Sequence, residues 1–312
     1  MFEIPYNKKI RVIIDTDAAC EADDPFAIVH ALLSPKLIVK GIVATHFNEA
    51  DSTKRSFDEI NTILSAMKLE VPVYMGQTGS LADYPEEESP AVKFIAEEAN
   101  REEDLPLFIL CQGAITNVAM ALRKHPEIKD RMTIVWIGTH GREDAYCGWR
   151  EFNAGNDVEA ANEVLTSGAN IWLIPSEVYT SVNIGLAEIE AKVAPYGEIG
   201  RHLYENMVTY NLSDKAGWTR GESWSLGDSP AIALAINEGA GRFINAHAPH
   251  INDDTTTAFP EDTPMIRVYT SIDSRYVLDD FFAKLRLSYP RQKTDKWDRF
   301  LKNFGEFTAD FK

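Results

Sequence analysis

Short apolar, β-branched runs alternate with longer amphipathic stretches along most of the chain, and this alternation limits the fold more than any other feature. A strand buried on both faces of a sheet reads as an unbroken hydrophobic run, and its parallel neighbour is reached through a crossover helix. Residues 10–14 predict the first strand, followed by a polar loop over 15–24. Pro25 then opens a helix through residue 33, because proline suits the first helical position. Further strands are expected over 37–44, 71–75, 107–110, 132–137 and 171–174, with helices over 53–67, 90–99, 114–123 and 158–167 between them. Residues 178–245 read as mostly helical, strongest over 231–237. A strand over 267–270 stands in a less regular last part. No repeat, low-complexity linker or composition break divides residues 1–312. The expectation is a single α/β domain whose mainly parallel central sheet is flanked by helices, with a Rossmann-like core.

Charge excludes some functions. The net charge of −17 over 312 residues repels nucleic acid and anionic membrane, so neither is an expected partner. Cys20, Cys111 and Cys147 form no CxxC or zinc spacing, and an odd, sparse set reads as reduced thiols. No run approaches the roughly 18 apolar residues of a membrane helix, and the N-terminus shows no signal-peptide pattern. The expected location is cytoplasmic.

Asp15, Asp17, Glu21, Asp23 and Asp24 fall within ten residues, where the first strand gives way to a helix. Ligands of open parallel sheets bind beyond the carboxyl ends of the strands. One reading has Asp23 or Asp24 capping the helix, with the rest solvated. The other has a hard cation, Ca²⁺ or Mg²⁺, converting the repulsion into binding. The loop lacks the glycines and lysine of a phosphate-binding loop. Thr45, His46 and Asn48, then Gln112 with Gly113, then Thr139 and His140 follow later strands at the same expected edge. A main-chain carbonyl at Gln112 could face a cation. His140 reads either as an exposed loop residue or as part of a site, and Trp136 as core.

These segments together resemble the inosine–uridine nucleoside hydrolase family. Asp15-Thr16-Asp17, a spacer and Asp23-Asp24-Pro25-Phe26-Ala27 are similar to its opening signature. Gln112 to Ala119 resembles its Gly-Pro-Leu-Thr-Asn stretch. Glu151-Phe152-Asn153 and Asp157 to Ala161 resemble its Glu-Phe-Asn and Asp-Pro-Glu-Ala-Ala pair. Gly227-Asp228-Ser229-Pro230 resembles the segment that returns a last aspartate to the site. The resemblance implies an enzyme that hydrolyses the N-glycosidic bond of small nucleosides, with Ca²⁺ as cofactor and a homo-oligomer as its assembly. It implies that Asp17 binds Ca²⁺ and acts as general base, while Asp24, the Gln112 carbonyl and Asp228 complete the metal ligands. Asp23, Asn153 and Asn48 would hold ribose hydroxyls, with Glu151 toward the 5′ end and Asp15 shaping the loop.

Three departures bear on substrate. The spacer after Asp17 is two residues longer than the common form and carries Cys20-Glu21. Gly227 stands where relatives often have a histidine that protonates the leaving base, and Ala145 stands where an asparagine is expected. His140, Tyr146 and Glu222 are the candidate replacement acids, and Trp224 or Trp218 could stack on a base or sugar. Besides nucleoside hydrolysis, two readings stay open: a same-fold hydrolase of another glycoside in carbohydrate metabolism, and a sugar-binding relative without turnover.

Overall fold

In a computed structural model of the chain, described for residues 2–84, 86–142 and 148–291, β1 (Ile10–Thr16) leads to α1 (Asp24–Leu32), β2 (Leu37–Ala44), α2 (Ser52–Met67) and β3 (Val73–Met75). α3 (Pro90–Ala99), β4 (Leu107–Cys111), α4 (Thr116–Lys124) and β5 (Met132–Ile137) continue the alternation. Then come α5 (Phe152–Asn156), α6 (Val158–Thr166), β6 (Asn170–Ile174), α7 (Ser176–Tyr179), β7 (Asn183–Gly185), α8 (Leu186–Lys192) and α9 (Gly197–Asn211). The last elements are β8 (Ser223–Ser225), α10 (Ser229–Ile236), β9 (Gly241–His247), β10 (His250–Ile251), β11 (Thr257–Ala258), β12 (Met265–Ile272) and α11 (Ser274–Ser288).

Eight strands form one sheet in the order β3-β2-β1-β4-β5-β6-β12-β9. Every neighbouring pair in it is parallel except β12 with β9. Strand alternation sends side chains to two hydrophobic layers. Val12, Ile14, Leu110 and Ile137 pack with α1 and α10 on one face. Ile13, Ile109, Cys111 and Trp136 pack with α3, α4 and α6 on the other. All seven residues of β1 are buried, which is why it reads as a continuous apolar run.

Four expectations are corrected. β1 extends through Thr16, so Asp15 lies in the strand and not in the loop. A short helix, α5, precedes α6. The segment 178–245 holds the β7–β8 pair and the start of β9 among its helices. β9 has a strand partner on one side only and leaves Phe243 and Ile244 exposed, so it lacks the apolar run of an interior strand. The supposedly irregular end carries α11, capped by the Asp273 side chain accepting from Tyr276 N–H at 3.0 Å, with Val277, Phe281, Phe282 and Leu285 buried. Those buried positions recur at helical spacing, which the sequence carries.

Candidate active site

The parallel strands end together, and β1, β2, β4 and β5 deliver Asp17, Asn48, Gln112 and Thr139 to one edge of the sheet. α1 and α10 start above that edge. Proline follows the first acidic residue of each, in Asp24-Pro25 and Asp228-Ser229-Pro230, and their N-termini bring carboxylates from opposite ends of the chain together. Asp23, Asp24 and Asp228 each offer an oxygen within 4.8 Å of the others, an arrangement that could hold a metal ion. Asp17 and Asp228 both lie within hydrogen-bonding reach of Asp24. A Cβ on Gly113 would stand 2.5 Å from Asp17 Oδ1, so the backbone approach that seats Asp17 requires glycine there.

Capping does not account for these carboxylates. Asp23 occupies the cap position of α1 without making a side-chain cap bond. Its Oδ2 instead accepts from Gly227 N–H at 2.8 Å. Asp24 Oδ1 accepts from the Thr16 hydroxyl at 2.5 Å.

Burial dominates the electrostatics. It raises the Asp17 carboxyl well above the ordinary range, with Asp24 adding repulsion. Asp23 is pushed up to about 7 by burial and then by Asp24, against the opposing pull of hydrogen bonds from Gly227 and Trp224. Asp24 rises to about 6 through burial, held back by Thr16. Asp228 is raised well above the usual range by burial and then by Asp23. Glu21, at the longer spacer, is pushed up to about 8 by burial, then by Asp23 and Asp24.

The remaining expected residues divide into groups. Asn153 Nδ2 donates to the Gln112 carbonyl at 3.2 Å and the Ile137 carbonyl at 3.1 Å, which leaves its Oδ1 to accept. Asn48 is exposed at φ 57° and donates from Nδ2 to the Asn156 carbonyl at 2.8 Å. Glu151 is fully buried and accepts from Thr139 N–H, Asn153 N–H, Ala154 N–H and the Tyr179 hydroxyl. Its carboxylate caps α5 and ties three segments together. Trp224 is buried edge-on against Tyr210 at 5.6 Å and hydrogen-bonded to Asp23. Its contact with the acidic cluster is that hydrogen bond, and its buried ring does not present a stacking face. Asp15 faces α4, where Asn117 Nδ2 donates to its Oδ1 at 3.2 Å.

His140 is buried, which overturns its reading as an exposed loop residue. Its Nδ1 meets Ser176 Oγ at 2.9 Å and its Nε2 meets the Trp149 carbonyl at 3.0 Å. A carbonyl only accepts, so the proton sits on Nε2 and is committed to Trp149. In this arrangement both ring nitrogens are engaged, and His140 links Ser176 to the Trp149 backbone. Glu222 is exposed, and Ala145, Tyr146 and Cys147 lie outside the described residues.

Sequence reading missed Thr16, Asn117 and Tyr179. It also missed a relay in which His46 Nε2 meets Thr116 Oγ1 at 2.8 Å while the Thr116 hydroxyl donates to Asp157 at 2.8 Å. Asn117, Thr116 and Asp157 stood inside the matching motifs, which was the available signal.

The mainly parallel sheet with an acidic pocket at its carboxyl edge defines an α/β protein with its candidate site where such sheets bind ligands. More particularly, the chain belongs to the inosine-uridine preferring nucleoside hydrolase family, whose profile matches residues 12–279. It is thus a hydrolase acting on N-glycosyl bonds. The pyrimidine-specific ribonucleoside hydrolase RihA of Salmonella arizonae is 30% identical over 236 residues, 67% of this chain and 74% of the relative. Among solved structures, a plant nucleoside hydrolase superposes with a TM-score of 0.72 at 20% identity, covering 88% of this chain and 98% of its own. A purine-preferring ribonucleoside hydrolase from Gardnerella vaginalis gives 0.71 at 21%, covering 89% and 98%. At these identities the two structures speak for the fold. Among the described residues no helix is long and apolar enough to cross a membrane.

Proposed function

We propose that this chain is a Ca²⁺-dependent hydrolase of ribonucleosides. The observation that carries the reading is the convergence of Asp17, Asp23, Asp24 and Asp228, all buried, with neighbouring carboxylates as the charges that raise Asp17, Asp23 and Asp228. Buried carboxylates at this spacing repel unless protons or a cation neutralise them. An all-oxygen, carboxylate-rich donor set suits Ca²⁺, which takes about six to eight oxygens in flexible geometry, better than Mg²⁺, which keeps its waters. Asp17, Asp24, Asp228 and the Gln112 carbonyl would hold the ion. When bound, such an ion lowers the pKa of a water and fixes it near the anomeric carbon.

Asp17 would serve as the general base that takes a proton from the attacking water. Asp23, held by Gly227 and Trp224, keeps lone pairs for a ribose hydroxyl, as do the Oδ1 atoms of Asn153 and Asn48. The C–N bond breaks through an oxocarbenium-like sugar, and the surrounding carboxylates stabilise its positive charge. Glu151 contributes by fixing α5 and with it Asn153. One observation favours a second reading, a same-fold hydrolase of another glycoside: a Cβ at Gly227 would stand 3.2 Å from Tyr179 Cδ2 and 3.3 Å from Asp23 Oδ2. A protonating side chain at 227 would require the tyrosine edge or the Asp23 carboxylate to shift by a few tenths of an ångström.

The test is reducing-sugar release from uridine, cytidine, inosine and aryl ribosides, before and after EDTA and with Ca²⁺ restored. Hydrolysis of a ribonucleoside that EDTA abolishes and Ca²⁺ recovers is expected. Turnover indifferent to EDTA would refute the metal role, and cleavage of O-glycosides alone would select the second reading.

A further inference from the structure

Asp15 Oδ2, His46 Nδ1 and Asn156 Nδ2 are single unpaired atoms near the pocket, but among the described residues Gln112 alone has both polar side-chain atoms buried and unpaired. Gln112 is almost wholly buried, yet both Oε1 and Nε2 of its amide lack a hydrogen-bond partner among the described residues. Leaving a buried polar group unpaired costs about 1–3 kcal/mol, and native folds rarely keep such a group without a partner of another kind. The backbone of Gln112 is well satisfied: its N–H donates to the Asp15 carbonyl at 2.8 Å, and its carbonyl accepts from Asn153. Only the side chain is orphaned.

The sheet register shows which way that side chain points. Asp15 pairs with Cys111, and the Gln112 N–H bond to Asp15 carries the parallel ladder one step further, so Gln112 stands beside Thr16. Side chains alternate along a strand. Cys111 packs in the layer under α3, α4 and α6, Leu110 in the layer under α1 and α10, and Gln112 therefore returns to the latter face. Its neighbour there, Thr16, donates its hydroxyl to Asp24. α10, which Asp228 introduces, packs over β4 and β5 on this same face. The orphaned amide thus lies beneath the two helix starts that carry Asp24 and Asp228.

We infer that Gln112 supplies two ligands to the cation, its main-chain carbonyl and its side-chain Oε1, the second completing the oxygen shell from the floor of the site. The inference rests on the metal-dependent reading proposed above. An amide oxygen is a hard neutral donor of the kind Ca²⁺ accepts alongside carboxylates. It adds a ligand without adding a fifth negative charge to a cluster already crowded with four. Nε2 is left to donate to a water or sugar hydroxyl held at the same ion.

The test is direct cation binding by the full chain, using calorimetry with Ca²⁺ and sensitised luminescence with Tb³⁺, on wild type, Gln112→Met and Gln112→Glu. Methionine keeps the unbranched shape but replaces the amide with an apolar thioether. If Oε1 is a ligand, Gln112→Met should melt at or above wild type without metal, because an unpaired polar group has gone, while its Ca²⁺ affinity falls about 10–100-fold. Gln112→Glu retains an oxygen at the same reach and should bind Tb³⁺ at least as tightly as wild type. A folded Gln112→Met with Ca²⁺ affinity within twofold of wild type overturns the assignment. So does a Gln112→Glu protein that binds Tb³⁺ as weakly as Gln112→Met. Wild type that binds neither ion refutes the metal-dependent reading itself, an outcome separate from both.

Discussion

Stripping the cation should make stability fall with pH across the range where most proteins are steadiest. Without a cation, burial pushes the Asp24 carboxyl up to about 6 and the Asp23 carboxyl up to about 7, from an ordinary 3.8. A carboxyl whose folded pKa is raised holds more protons folded than unfolded. Its favourable contribution is fully present below about pH 4 and is lost as pH rises through about 6–7. At about 1.4 kcal/mol per pH unit, Asp24 alone costs the metal-free fold ~3 kcal/mol at neutral pH. The groups share protons, so their costs do not simply add. Even so, a few kcal/mol is a large part of a typical net stability of about 5–15 kcal/mol.

Ca²⁺ binds the ionised cluster and reverses this loss, adding about 2.7 kcal/mol at a hundred times Kd. For a chain of this length that corresponds to a rise in Tm of about 4 °C. Thermal melts in EDTA and in millimolar Ca²⁺, from pH 5 to 8, should show a shift that is largest near pH 8 and shrinks toward zero at pH 5. The Asp23→Asn protein should show a flatter EDTA profile. A Ca²⁺ shift equal at both ends of the range, or none at any pH, would refute the reasoning.

Asp17→Asn should lower kcat about 10²–10⁴-fold with little change in KM, since the amide keeps an oxygen for the ion but accepts no proton; wild-type turnover in that variant would end the mechanism. Asn153→Ala removes the donor that orients the Gln112 carbonyl, and titration should show Ca²⁺ affinity and kcat falling together by about tenfold or more. His140→Ala should lower Tm and slow aryl ribosides with good and poor leaving groups alike, because its Nε2 proton is committed to Trp149; a loss confined to poor leaving groups would restore it as the acid. Tyr179→Phe should leave Ca²⁺ affinity intact while loosening Glu151, read as a Tm decrease of a few degrees.

Local pattern was enough for much of the architecture. The apolar runs at 37–44 and 132–137 and the helix at 90–99 coincide with β2, β5 and α3, because interior strands and capped amphipathic helices carry their environment in their own residues. β9 was hidden because an edge strand with a partner on one side needs no apolar run. The acidic loop already stated that charge would be concentrated at the first strand's end, and the ordered motifs tied Gln112, Asn153 and Asp228 to it.

What each carboxylate does was decided only by residues far away in the chain. Asp23 is held by Gly227 and Trp224, and Glu151 is filled by Tyr179, Thr139 and the start of α5. The orphaned Gln112 amide becomes visible only when the register sets it beside Thr16. Hydrogen-bond satisfaction and desolvation depend on what packs around a group, and spacing along a single chain cannot encode that. The sequence by itself therefore determined where the charge collects and which strands carry it. The tertiary structure decided which of those groups is already spoken for, and which is left to meet a ligand.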